Sequence, residues 1–488
     1  MKKSVLKYSL IAIIYIVTTI IIVFSSCDRN IFTKDPADKL ILSADTIKFD
    51  TIFTSIGSAT KYFIVKNSNE KKSIIIDKIF LAKGSLSKYK LNIDGESSNM
   101  SASNIELAPG DSIFIFVMVN INPTADDMVE MDSIIFVSNN NQQNVKLVAF
   151  GRNVHLIDGQ VIENDTIWTA NRPFLIYNSV LVAPNVTLTI QAGTQIYFHN
   201  TSGMLVQGTL KVQGNINNRV LFTGDRLEQY YAEIAGQWGS TEITQEGQKY
   251  TILGGVYLMA GSKNNEICNA DIKNSLIGLR ADTCVTPGIP TVILRNVNVE
   301  NSQIAGLYAQ GAFVYAENCV FANSGTYNVA CALGGQYYFY HCTLADYWGG
   351  LGDSPQLMFN NYYISNQTVI HRDLEMAYFG NCIIYGKKKN EISFDYKEPA
   401  QMNLMFENCL IKYEDTTFLK KNGIFIGNIF NKDPKFKNTG HPYDYELDSL
   451  SAAKDVGNLE IGLKIPLDQL GNSRTSDNKP DLGAFERQ

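Results

Sequence analysis

The sequence lacks any long block of lysine or arginine, and its 48 acidic residues outnumber its 42 basic ones. The net charge of -6 argues against nucleic acid as a partner, because phosphate binding needs a basic face. Cysteine is also scarce, with eight in 488 residues. If one of them is lipidated, at least one of the others is unpaired, so we do not expect a scaffold built on disulfides.

The N-terminus carries the features of an export signal. Met1-Lys2-Lys3 gives a basic start, an apolar run extends from Tyr8 to Phe24, and Ser25-Ser26 precede Cys27. This arrangement resembles the bacterial lipoprotein signal, with Phe24 where that family usually has Leu. The resemblance implies a signal peptide over residues 1–26 and a lipid on Cys27, which would be the membrane contact. The alternative is an uncleaved membrane anchor, and both readings place the protein outside the cytoplasm, with the outer membrane and cell surface as its expected location.

Two segments follow the signal. Residues 27–40 mix charge and small residues without periodicity, which predicts a tether. Residues 41–154 alternate β-rich runs such as Tyr62–Val65 and Ser112–Val117 with turns such as Pro109-Gly110-Asp111, which predicts a β-sandwich. This part resembles the immunoglobulin-like modules of bacterial surface proteins, and that resemblance implies a fold and no particular function.

Residues 155–430 contain many short strand-like runs that end at glycine, and no long helical period. A phrase of Asn-Cys followed by apolar residues recurs at Asn318-Cys319, His341-Cys342, Asn381-Cys382 and Asn408-Cys409, with Asn296-Val297 as a first copy. The spacings between copies are 22, 23, 40 and 27 residues, which predicts a solenoid with one coil per repeat. The interval of 40 residues is either one coil with an insertion or two short coils.

The strand positions of this repeat favour a parallel β-helix over a leucine-rich repeat, whose leucine frame is absent. In stacked coils the cysteine and the residue two positions later point into the core, while the residue between them faces out. The preceding asparagine then lies at a coil corner, where stacked amides bond along the axis. We interpret the cysteines as core residues, and we expect no metal site because no chelating His/Cys spacing accompanies them.

The phrases LTIQAGTQIYF and GTLKVQG, and later Gly236–Ser240, resemble the first coils of bacterial surface proteins in the right-handed parallel β-helix superfamily, the fold of pectate lyases. Residues 431–488 resemble the closing segment of that group, and we expect a cap that hides the last coil, with Arg474 tied to Asp481 or Glu486. The expected fold is therefore all-β, with an N-terminal β-sandwich, a right-handed parallel β-helix and a C-terminal cap. The resemblance implies calcium as a cofactor only if the chain is a lyase.

Ionisable residues are concentrated in an insertion from about Asp346 to Tyr378, and insertions in solenoids often form the binding face. A lyase needs a base and a cation that holds the substrate carboxylate, and His371 or His341 is the candidate base with Arg372 as the clamp. A hydrolase needs two carboxylates, for which the candidates are Asp346, Asp353, Asp373 and Glu375. A polar surface loop without catalysis fits the same residues.

Aromatic residues are abundant, with 25 Tyr and 25 Phe. Tyr337–Tyr340 alternates across a predicted strand, so half of these rings should lie in the core and half outside, where they could stack on sugars. Tyr347 and Trp348 are further candidates for sugar stacking, although strand propensity explains many aromatic residues. The expected role is binding of carbohydrate or a surface polymer. A polysaccharide lyase or glycoside hydrolase, and a structural or adhesive protein without a pocket, remain the alternatives.

Overall fold

The structure is a computed structural model that describes residues 31–54, 56–123, 128–245, 248–283, 288–348, 354–365, 367–415 and 424–487. The predicted signal peptide and Cys27 lie outside the described residues. Contacts divide the chain into two units, Met1–Asn153 and Val154–Gln488. Within the described ranges, no helix has both the length and the apolar character needed to cross a membrane.

The described residues of the first unit form ten strands in two five-stranded sheets, of order β1-β3-β8-β5-β6 and β2-β10-β9-β4-β7. The strands are β1 (Leu40–Leu42), β2 (Thr46–Phe53), β3 (Lys61–Asn67), β4 (Ile74–Leu81), β5 (Tyr89–Ile93), β6 (Glu96–Asn99), β7 (Ser101–Leu107), β8 (Ser112–Val119), β9 (Met128–Ser138) and β10 (Asn141–Arg152). Side chains from both sheets share one hydrophobic core, in which the rings of Phe63 and Phe136 meet edge to face at 6.1 Å. The alternation of buried and exposed residues in Tyr62–Val65 and Ser112–Val117 therefore reflects packing on one face of each sheet.

The second unit is dominated by a 26-stranded, mainly parallel sheet, consistent with a β-helix. Its first strands are β11 (His155–Ile162), β12 (Thr166–Trp168), β13 (Phe174–Val182), β14 (Thr187–Gln191), β15 (Gln195–Phe198), β16 (Met204–Val206), β17 (Thr209–Gln213), β18 (Val220–Gly224), β19 (Ser240–Gln245), β20 (Gln248–Leu253), β21 (Val256–Leu258), β22 (Asn265–Lys273), β23 (Ile277–Asp282), β24 (Val292–Glu300), β25 (Ala305–Gln310), β26 (Phe313–Glu317) and β27 (Val320–Ala322). The antiparallel pair β19–β20 lies outside the large sheet.

The remaining elements complete the stack and the C-terminal segment. They are β28 (Tyr327–Ala332), β29 (Gly335–Tyr340), β30 (Thr343–Asp346), β31 (Leu357–Asn360), β32 (Tyr362–Ser365), β33 (Thr368–His371), β34 (Leu374–Gly380), β35 (Ile383–Gly386), β36 (Ile392–Asp395), β37 (Met402–Glu407), β38 (Leu410–Ile411), β39 (Phe425–Ile426), β40 (Ile429–Phe430), β41 (Phe436–Asn438), β42 (Asp444–Leu447) and the helix α1 (Leu459–Lys464).

Parallel pairing arranges the coils into three files of stacked strands. The first file runs β14, β17, the first half of β22, the first half of β24, β26, β29, β34, β37 and β39. The second file runs β15, β18, the second halves of β22 and β24, β27, β30, β35, β38 and β40. The third file runs β16, β21, β23, β25, β28, β31 and β36.

The cysteines lie at the predicted core positions. Cys319, Cys342, Cys382 and Cys409 are fully buried and form no disulfide. The backbone N of Cys342 lies 3.4 Å from Sγ of Cys382, and the N of Cys382 lies 3.4 Å from Sγ of Cys409, which confirms a single file. Burial raises the pKa of Cys319, Cys342 and Cys382 and keeps these thiols protonated.

The predicted corner asparagines are also confirmed. Asn296 and Asn318 have φ values of 56° and 53°, in the left-handed region that asparagine tolerates, and the amide of Asn318 donates to that of Asn296 at 3.2 Å. A second ladder, which we did not predict, lies five residues later, where Asn301 donates to Asn274 at 2.8 Å. Repetition of Asn at this offset in the sequence was the signal for it.

The C-terminal segment corrects one expectation. We expected residues 431–488 to cover the end of the stack, but their contacts run along the side of earlier coils. Gln469 donates to Asn298 at 2.9 Å, and the backbone N of Gly483 donates to the carbonyl of Asn381 at 2.8 Å. The cause is the outer surface of the second file, where three of the four residues that follow the cysteines are apolar and would otherwise be exposed. Those residues are instead at most 1% exposed, and they are Val320, Thr343, Ile383 and Leu410.

Arg474 holds this segment in place and has the structural role predicted for it. Its side chain is fully buried, and Nη1 lies 3.2 Å from Oε2 of Glu486. Nη2 donates to Oδ1 of Asn318 at 3.0 Å and thereby joins the segment to the asparagine ladder. Asp481 contributes through its carboxylate, which accepts from the backbone N of Asp455 at 2.7 Å.

The interval of 40 residues between Cys342 and Cys382 is one coil with insertions. Its strands are β30, β31 and β34, and the antiparallel hairpin β32–β33 is inserted between β31 and β34. A further excursion, of which Tyr347 and Trp348 are the first residues, connects β30 to β31. The insertion predicted as one unit therefore leaves the coil at two different corners.

Candidate functional site

One corner of the stack brings two of the predicted site residues together. Arg372 and Asp373 follow the hairpin β32–β33 and line a cleft of about 310 Å³ together with Glu375. We call this the edge cleft. Its other lining residues come from turns and strand ends of neighbouring coils, namely Thr283, Gly311, Ala312, Phe313, Gly335 and Gln336.

Arg372 lies across the turn at Gly311. Its Nη1 donates to Oγ1 of Thr283 at 3.3 Å. A Cβ on Gly311 would lie 2.3 Å from that nitrogen, and the φ of Gly311 is 58°, so both space and backbone conformation favour glycine there. Among the described residues, no carboxylate forms an ion pair with Arg372.

Both carboxylates of the edge cleft accept hydrogen bonds. Oδ1 of Asp373 accepts from the backbone N of Gln401 at 2.8 Å. Oε2 of Glu375 accepts from the side-chain amide of Gln336. The cleft is thus lined by one cation and two carboxylates, and one oxygen of each carboxylate accepts a hydrogen bond.

Neither candidate histidine is a lining residue of the edge cleft. His371 lies on β33 opposite Tyr362, and its Nδ1 is buried without a hydrogen-bond partner in the structure. His341 is fully buried, and its Nε2 lies 3.1 Å from Nδ2 of Asn381. Burial lowers the pKa of His341 well below its usual value, so this side chain is neutral and out of contact with solvent. His341 takes an asparagine position in the corner ladder, which corrects its assignment as a candidate base.

The other candidates lie elsewhere. Tyr347 packs against the C-terminal segment, with its ring 6.0 Å from that of Phe436. Trp348 is half-buried beside the turn at Gly325. Asp353 lies outside the described residues, and no group of metal-ligating side chains occurs among those that are described.

A second feature adjoins the edge cleft on the outer surface of the first file. Alternation along β26, β29 and β34 buries Tyr337 and Phe339 in the core and turns other rings outward, as the alternation in the sequence predicted. The outward rings are half-buried, and we call them the aromatic face: Phe313, Tyr315, Tyr338, Tyr340 and Tyr378. Phe313 also lines the edge cleft, so the two features are continuous.

The aromatic face contains a row in register along the stack. Ile293 pairs with Tyr315, Tyr315 with Tyr338, Tyr338 with Tyr378, and Tyr378 with Met405. Stacked strands lie about 4.8 Å apart, so these five residues form an apolar strip about 19 Å long. We call it the central row.

Tyr340 stands beside the central row and fills the space between two of its members. Its ring lies 5.5 Å from that of Tyr315 and 5.2 Å from that of Tyr378. Its register partner is Gly380, where an added Cβ would lie 2.8 Å from the ring of Tyr378 and 3.1 Å from Cδ1 of Ile461. Glycine at this position therefore leaves room for the ring of Tyr378.

The helix α1 adjoins the side of the aromatic face away from the edge cleft. Asn458, the N-cap of this helix, donates from its side chain to Oε1 of Glu407 at 3.1 Å. Oε2 of the same carboxylate accepts from the hydroxyl of Tyr378 at 2.8 Å. Burial and this hydrogen bond raise the pKa of Tyr378, so its hydroxyl stays protonated. The aromatic face therefore lies between α1 and the edge cleft.

Sequence reasoning identified the outward tyrosines of β29 but missed their register with neighbouring coils. Tyr315, Tyr338 and Tyr378 each stand four residues before the cysteine of their repeat. Aligning the repeats on the cysteines would have placed these tyrosines in one row.

The chain matches no family model, and no curated protein matches it. Matches to parts of solved structures include the E. coli chaperone DraB, at 10% identity over 23% of this chain and 54% of that chain, with a TM-score of 0.17. They also include a family 123 glycoside hydrolase from Clostridium perfringens, studied for glycolipid glycan hydrolysis, at 7% identity over 24% of this chain and 26% of that chain, with a TM-score of 0.17. The matches span about half of DraB and a quarter of the hydrolase, and at these TM-scores neither carries an argument about fold or function.

Proposed function

We propose that this protein is a lipid-anchored extracytoplasmic protein that binds polysaccharide along the aromatic face. In this proposal Cys27 carries the lipid, the first unit is an immunoglobulin-like β-sandwich, and the second is a right-handed parallel β-helix. The outer membrane is the proposed location, and the export signal and the resemblance to bacterial surface proteins support it.

The observation that carries the proposal is the central row. Three tyrosine rings in register, half-exposed and continued by Ile293 and Met405, form a continuous strip along the stack. Sugar rings present apolar C–H faces that stack on aromatic rings, and their hydroxyls bond to flanking polar groups. A strip that repeats once per coil suits a polymer lying along the stack.

Binding is better supported than cleavage. Elimination beside a uronate needs a base within reach of the substrate, and His371 is not a lining residue of the edge cleft while His341 is buried. Asp373 and Glu375, the two candidate carboxylates of a hydrolase that the structure brings together, line the edge cleft and are not members of the central row. The aromatic face needs no catalytic group to bind a glycan.

The test is Tyr338→Ala, because Tyr338 is the middle ring of the central row. Retardation of the purified protein in native gels containing cellulose ethers, xylan, mannan, galactan or homogalacturonan would identify a bound polymer and its affinity. We expect Tyr338→Ala to weaken that affinity by about two- to tenfold, since an aromatic stacking contact contributes about 0.5–1.5 kcal/mol.

The matched control is Tyr230→Ala, which removes an 80% exposed tyrosine outside the aromatic face. This variant should bind like the unchanged protein. Equal loss in both variants, or no retardation by any of these polymers, would contradict the proposed function.

A further inference from the structure

The charges around the central row are largely neutralised by one another. Arg295 and Glu317, which occupy successive coils beside the row, form an ion pair of 2.9 Å. Glu266 bonds to Arg295 as well, and it lies 3.6 Å from Lys211 one coil earlier. This group of two cations and two carboxylates has no net charge.

Further carboxylates lie beside the Met405 end of the row and in the edge cleft. Glu407 accepts from Tyr378 and Asn458, and Glu375 accepts from Gln336. Arg372 lies in the edge cleft, which it shares with the carboxylates of Asp373 and Glu375. The surroundings of the aromatic face are therefore net negative.

We infer that the polymer bound along the aromatic face is a neutral glycan and not a uronate or sulfated one. This inference rests on the proposed function and specifies its ligand class. An acidic polymer would bring about one negative charge for every one or two coils. Of the cations described above, Lys211 and Arg295 are already paired with carboxylates, and Arg372 shares its cleft with two carboxylates, so the surface opposes association of an anion. A neutral glycan meets no such repulsion, and its hydroxyls can donate to the carboxylates of Glu317 and Glu407.

The geometry of the carboxylates fits this ligand. Glu317 and Glu407 flank the rings on the side of Tyr340, in the register row that runs Arg295, Glu317, Tyr340, Gly380 and Glu407. An ionised carboxylate can accept hydrogen bonds but has no proton to donate. It therefore pairs with hydroxyl donors and not with another anion. A neutral sugar uses two kinds of contact, stacking on aromatic rings and hydrogen bonds from its hydroxyls. The rings of the central row offer the first, and the carboxylates beside the row offer the second.

The experiment compares polymers that share a backbone and differ in charge. Retardation in native gels is measured with hydroxyethyl cellulose against carboxymethyl cellulose, and with highly methyl-esterified homogalacturonan against the same polymer after de-esterification. The purified protein and its Tyr338→Ala variant are run at low and at high salt. We expect the neutral member of a pair to bind at least about tenfold more tightly, to bind more weakly in Tyr338→Ala by the factor given above, and to be insensitive to salt because no charge is screened.

The outcomes separate the two proposals. Equal or tighter binding of the acidic member, with loss in Tyr338→Ala, would overturn the neutral-glycan inference and leave the proposed function standing. Binding that falls steeply with salt would also count against the inference, since it would show that cations recognise the polymer. If neither member of either pair is retarded, and xylan, mannan and galactan fail as well, the proposed function itself fails.

Discussion

Glu391 is a carboxylate buried within the stack at the start of β36. Its side chain is fully buried, and Oε1 accepts from the backbone N of Lys388 at 2.9 Å while Oε2 has no hydrogen-bond partner. Desolvation raises the pKa of Glu391 from 4.5 to about 7, and the nearby Asp346 adds to the rise. The folded protein thus keeps a proton on Glu391 over a pH range in which the unfolded chain has lost it.

This difference predicts that stability falls as pH rises from about 4.5 to about 7, because the folded state binds more protons there. Glu391→Gln removes the titrating group, so at pH 8 the variant should be more stable by about 2–3 kcal/mol, and at pH 4 it should be nearly unchanged. Urea unfolding at both pH values measures the effect. Glu414→Gln, at an exposed carboxylate, should change neither value, and a Glu391→Gln variant that is equally stable or less stable at pH 8 would refute the prediction.

Individual residues show how far the sequence could be interpreted. The inward positions of Cys319 and Phe321 followed from a repeat of fixed spacing and the two-residue period of a strand. The same period placed Val320 outside the coil but could not show that it is buried, because the covering residues lie more than a hundred positions later in the chain. His341 was mistaken for a possible base because its place in an asparagine ladder is visible only when the coils are stacked.

At the level of elements, the C-terminal segment depends on one ion pair. Arg474 and Glu486 are both buried, and removing one partner of such a pair leaves the other uncompensated. Arg474→Met should therefore lower the free energy of unfolding by about 3–5 kcal/mol. It should also expose residues 431–488 to protease before the rest of the second unit.

Chemical denaturation and limited proteolysis with mass mapping measure these two effects. Arg487→Met is the matched control, since Arg487 is half-buried and takes no part in the Arg474–Glu486 pair. The structural role of Arg474 would be refuted if both variants unfold alike, or if the segment of the Arg474→Met variant resists protease as before.

The candidate site could be predicted only in part for a related reason. The long interval between Cys342 and Cys382 predicted an insertion that projects from the coil. Arg372 and Asp373, which belong to this insertion, do line a cleft. The spacing of the cysteines did not show that Tyr347 and Arg372 belong to separate insertions at different corners of the coil. The position of each insertion depends on where β31 pairs with β28 and β36. The central row depends on the register between coils, which is fixed by packing of the core.

For the molecule as a whole, the parallel stack converts a sequence repeat into a spatial one. Each coil adds one residue to every row, so a tyrosine kept at the same offset in three repeats becomes a continuous strip on the surface. A globular core of similar size would scatter the same residues. The binding surface proposed for this protein therefore comes from the repeat, and the insertions supply only its edge.

Attachment to a membrane is the whole-molecule property that the sequence predicts through Ser25-Ser26-Cys27. Only the thiol of Cys27 can take the lipid, so Cys27→Ser should abolish labelling by a fatty-acid analogue in a bacterial host and leave an unprocessed chain in mass spectrometry. Cys268→Ser, at a half-buried cysteine of the second unit, should be labelled and processed normally. Labelling that persists in Cys27→Ser would exclude lipidation at this residue, whereas an unprocessed and unlabelled wild-type chain in the membrane fraction would favour the uncleaved anchor.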